Sequence, residues 1–63
     1  MQPLELKKSE DVVSKYKRRL ENIFAPEAYE LLYSVMIDET QPMQLRVDIA
    51  KTLVTEATVP EEE

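Results

Sequence analysis

Cysteine, histidine and glycine are all absent from this chain, and each gap removes a class of function. Without cysteine no disulfide can form, and without cysteine and histidine the thiolate and imidazole donors of structural metal sites are missing. The same gaps leave Ser9, Ser14 and Ser34 with no evident activating base, so nucleophilic catalysis is not expected. The absence of glycine excludes phosphate-cradling loops and most tight hairpin turns, which points to an all-helical chain. Long hydrophobic runs are missing too: no window approaches the roughly 18 apolar residues of a membrane span. The first ten residues, MQPLELKKSE, lack the apolar centre of a signal peptide. The expectation is a cytoplasmic protein (host cytoplasm or virion, if viral) that is not an enzyme and has no cofactor, metal, small-molecule substrate or membrane partner.

With 63 residues, one domain fits, and a chain near this size buries only about 60% of the surface its unfolded form exposes. Small domains make up the deficit with disulfides, metals or assembly. Assembly is what remains here.

Hydrophobic periodicity predicts a compact three-helix domain over residues 9–57, with helices near 10–24, 26–39 and 42–57. Residues 1–8 read as a flexible lead and 58–63 as an acidic disordered tail. Ser9 stands where an N-cap would stand, with Glu10 and Asp11 in the following turn to complement the helix dipole. Pro26 and Pro42 each suit the first position of a helix, where the missing amide hydrogen costs nothing. The first helix carries a stripe of Val12, Val13, Tyr16, Leu20, Ile23 and Phe24. The third repeats Met43, Val47, Ala50, Val54 and Ala57, widened by Ile49 and Leu53.

The second helix, PEAYELLYSVMIDE, is apolar over about 240° of its wheel, where a surface helix needs roughly 100° or a little more. It must be covered from two directions. Its arc divides into Ala28, Leu31 and Val35, read as the intrachain core, and Tyr29, Tyr33, Met36 and Ile37, read as a protein interface. Aromatic residues and methionine are enriched at contact centres, and Leu45 on the third helix can join them.

Two other groups stand out. Lys15, Lys17, Arg18 and Arg19 put positive charge on one side of the first helix, where it can meet phosphates or an acidic partner. Arg46 falls inside the apolar arc of the third helix. A charge there needs a partner, which is expected to be an acidic residue such as Asp38 or the turn between the helices. Charge is divided unevenly: residues 1–24 hold six bases against four acids, and residues 25–63 hold two bases against nine acids.

The stretch from Leu31 to Leu53, through Leu32, Asp38, Arg46, Val47 and Ala50, resembles HEAT-like helical hairpins, in which the Asp and Arg are structural. It also resembles helical segments of phage terminase small-subunit proteins, whose members oligomerise and help package viral DNA. The chain has room for one hairpin and one further helix, short of the three or so repeats a solenoid needs, and no room for the helix-turn-helix domain of a full packaging subunit. The leading expectation is therefore a small oligomeric protein-interaction module, a structural, assembly or adaptor protein of phage or prophage type, that binds itself or another protein through the second helix. The alternatives are a nucleic-acid-associated regulator using the basic face, and an acidic inhibitor that occupies a partner's nucleic-acid groove.

Overall fold

The computed structural model describes residues 4–58, among which there are four helices and no strand: α1 (Leu4–Lys15), α2 (Lys17–Ile23), α3 (Pro26–Ile37) and α4 (Met43–Ala57). The first of the three expected helices thus starts six residues earlier and divides in two. Helix already covers residues 4–8 of the expected flexible lead, and Ser9 lies inside α1, not at its cap. The cause is Leu6. It is buried together with Val13 and Leu20, each seven residues further on, so tertiary packing extends the helix past the capping signal. Residues 1–3 and most of the expected tail, 59–63, lie outside the described residues.

The division falls at Tyr16 (φ −107°, ψ 26°). Its amide donates to both the Val12 carbonyl at 3.1 Å and the Val13 carbonyl at 3.2 Å, a local tightening toward a three-residue turn. One such step adds about 20° of rotation relative to an α-helical step, which is what a straight helix loses per seven-residue repeat. The tightening keeps Leu6, Val13 and Leu20 on one buried line.

Pro26 opens α3 as expected. Pro42 instead stands just before α4, where its carbonyl accepts the Arg46 amide at 3.1 Å. With no glycine to take the left-handed conformation in which many helices end, α2 and α3 both end on a residue in extended backbone: Phe24 (φ −109°, ψ 150°) and Asp38 (φ −81°, ψ 106°). Asp38 then organises the turn. One of its carboxylate oxygens accepts the Thr40 amide at 2.9 Å and the Thr40 hydroxyl at 2.6 Å.

The hub of the fold is α4, which packs against α1, α2 and α3. Its buried line is Arg46, Ala50, Leu53 and Ala57, rotated from the expected stripe so that Met43 is exposed and Val47 half-buried. From α3 the core takes Tyr29 and Met36, again seven residues apart, with Leu32 and Tyr33 packed at its edge. Across its shortest direction the Cα trace spans 16 Å, room for two layers of helices. Among the described residues there is no third layer to cover an outer face.

Candidate functional site

Two surfaces meet on α3, and both depend on how that helix is rotated. The expected assignment is reversed at four positions, Ala28, Tyr29, Leu31 and Met36, while Tyr33 and Ile37 stay at the surface. Tyr29 (3% exposed) and Met36 are core, whereas Ala28 and Leu31 are exposed and Val35 is half-buried. The physical reason is size. An inner edge of two large side chains two turns apart, flanked by Leu32 and Tyr33, buries more apolar area than one of Ala28, Leu31 and Val35 would. The excess of apolar residues on this helix is real, and its uncovered part is chiefly Leu31, with Ile37 on the opposite flank. Leu31 is 65% exposed, the most exposed large hydrophobic residue among those described, and Leu45 on α4 is 42% exposed.

The opposite flank of α3 forms one wall of a groove of about 380 Å³. Tyr29, Glu30, Tyr33, Ser34 and Ile37 line that wall, while Ser14 from the end of α1 and Lys17 from the start of α2 line the other. The Tyr29 and Tyr33 rings stack at 5.9 Å between centroids with 24° between their planes. Burial pushes the Tyr29 phenol above the ordinary tyrosine range, and the neighbouring Tyr33, Glu21 and Glu30 act in the same direction. Ser34 donates its hydroxyl to the Leu31 carbonyl at 3.0 Å. The groove can therefore offer an aromatic wall, an ammonium and a carboxylate.

Of the expected interface residues, Tyr29, Tyr33 and Ile37 come together here. Met36 lies beneath them in the core, and Leu45 lies on α4, outside the groove. The expected basic face is reduced. Lys15 places its ammonium 5.7 Å from the centre of its neighbour Tyr16's ring, and Arg19 is half-buried and engaged within the fold. Lys15, Lys17 and Arg18 are all exposed, and Lys17 faces the aromatic groove. Sequence reasoning treated the aromatic and basic groups as separate sites; the division of the first helix at Tyr16, which carries no proline or glycine signal, brings Lys17 beside α3. Ser14, Glu30 and Ser34 were missed as groove residues, although Glu30 with Ser34 and Tyr33 with Ile37 have the four-residue spacing of one helix face.

Arg46 is 2% exposed and donates from Nε to the Met36 carbonyl at 2.9 Å. Its partner is thus the last turn of α3, where a cation also complements the helix dipole. Its Nη2 is buried without a hydrogen-bond partner among the described residues. Asp38 is not a buried charge. It is partly exposed, and its bonds to Thr40, with smaller help from Gln41 and the nearby Arg46 charge, hold its carboxyl below the usual aspartate range.

No group of three or more aspartate or glutamate side chains converges as a metal site among the described residues. No helix among them is long and apolar enough to cross a membrane. Comparison with protein-family profiles, curated proteins and solved structures found no match for this chain.

Proposed function

We propose that this chain is a non-catalytic protein-interaction module, a structural or adaptor domain that docks a partner protein on the outer face of α3. The observation that carries this reading is the stripe Ala28, Leu31 and Val35, whose central leucine is 65% exposed on a domain with only two helical layers. An apolar line at helical spacing, bordered on its solvent side by the exposed Glu27, has the layout of a helix-to-helix contact. Covering the 65% of Leu31 that is exposed is worth about 1–2 kcal/mol, enough to make it the anchor of a modest interface.

Photo-crosslinking tests the reading directly. A photoreactive residue replacing Leu31, in the cell type that makes the protein, should give a discrete protein adduct, and the same residue replacing the exposed Thr52 on α4 should not. Leu31→Lys should compete poorly for the partner while melting like the parent. If position 31 gives no adduct beyond that at position 52, the outer face is not a docking surface.

A further inference from the structure

The groove on the other flank of α3 has walls of opposite sign. Lys17 projects from the α1–α2 side and Glu30 from the α3 side; both are exposed, and no ion pair within the chain engages either among the described residues. Between them lie the partly buried Tyr33 and the 40%-exposed Ile37. A groove with one basic and one acidic wall is complementary to itself under only one kind of symmetry. A two-fold axis running along the groove turns the basic wall of one copy over the acidic wall of the other. An axis across the groove in the contact plane would set lysine on lysine and glutamate on glutamate.

We infer that the groove is a self-docking site: a second copy of this chain seats on it about a two-fold axis parallel to the groove, with Lys17 of each copy facing Glu30 of the other. Such an isologous contact uses each pair twice. Burial of Ile37 and Tyr33 from both copies provides the attraction, and the charges fix orientation and exclude the alternative pairing, since exposed ion pairs add little affinity themselves. On the α3 wheel the groove residues centre about 160° from the Leu31 stripe. The resulting dimer leaves both outer faces open, so the inference uses a different surface from the proposed partner contact and presents that contact twice.

Sedimentation equilibrium at low ionic strength on the full chain tests the pairing. The parent should self-associate as a dimer. Lys17→Glu and Glu30→Lys should each weaken dimerisation by on the order of tenfold or more, because each places like charges opposite one another twice. An equimolar mixture of the two variants should recover it, since every facing pair is then opposite in sign. Both positions are exposed, and at a concentration where every species is monomeric the variants should melt like the parent. A mixture no tighter than the separate variants overturns the inference, as does a parent that stays monomeric at high micromolar concentration. Dimerisation that survives both charge reversals but is lost in Leu31→Lys would move the second copy to the outer face, overturning the groove assignment while leaving α3 as the docking helix. Loss of the groove dimer with an intact crosslink at position 31 separates the two readings.

Discussion

On the inner side of α3, Tyr29 and Met36 stand seven residues apart and are closed off by the core; on its outer side Leu31 and Val35 stand four apart on a stripe that the core does not close. Both sides are apolar at helical spacing, and a helical wheel does not distinguish them. What separates them is what the rest of the chain can reach. Arg46 enters the core beneath the end of α3 and takes hold of the Met36 carbonyl, and the stacked Tyr29–Tyr33 pair needs one edge in the core and the other at the groove. The inner side holds the fold together. The outer side is available for other use.

The sharpest way to break this comparison is to truncate one residue on each side. Met36→Ala removes a fully buried side chain and should cost about 2–5 kcal/mol, against a total stability of roughly 3–9 kcal/mol for a chain of this length. Partial or complete unfolding at room temperature is the expected outcome, read by far-ultraviolet circular dichroism and urea titration. Leu31→Ala should stay within about 0.5 kcal/mol of the parent. Equal costs at the two positions would mean that the outer stripe is closed in solution.

Arg46 ranks next. Arg46→Ala removes a long buried side chain and leaves the Met36 carbonyl without its donor, so stability should fall by about 2–3 kcal/mol. For a domain of this size each kcal/mol corresponds to roughly 4–8 °C in melting temperature. Arg46→Met should recover most of that loss, since it restores the packing and removes a buried cation whose Nη2 lacks a partner. An unchanged melting temperature in the alanine variant would show that the Arg46–Met36 contact does not help to hold α3 on α4.

Much of the backbone was legible in the sequence. The prolines marked the turns before α3 and α4, and the wheel of α4 placed Arg46 inside the buried arc. What was not legible came from side-chain competition between elements. Leu6 overrides Ser9 as the determinant of where α1 begins, because a buried leucine outweighs a capping hydroxyl. The tightening at Tyr16 has no breaker residue to announce it. The rotation of α3 follows from which of two comparable apolar edges fills the space above α4, a question of shape that periodicity leaves open. The groove inherits both of these: Lys17 reaches it through the division of the first helix, and Tyr33 and Ile37 reach it through the rotation of α3.

Tyr29 gives the smallest and most local test of that rotation. Its phenol stands above the ordinary tyrosine range mainly because burial penalises the phenolate, with Tyr33, Glu21 and Glu30 adding to the shift. A group whose folded value is raised contributes stability that is fully present below its unfolded value, about 10 for tyrosine, and is lost as pH rises through the folded value. Stability should therefore hold up to about pH 10 and decline beyond it. Tyrosinate absorbance should contain a component that develops later than a free tyrosine would. Tyr29→Phe removes the titrating hydroxyl while keeping the ring that packs on Tyr33, so it should abolish the late component and flatten the alkaline decline in melting temperature. Were Tyr29 instead on an open interface face, as its place on the wheel first implied, burial would not penalise its phenolate, and the substitution would leave the alkaline limb unchanged.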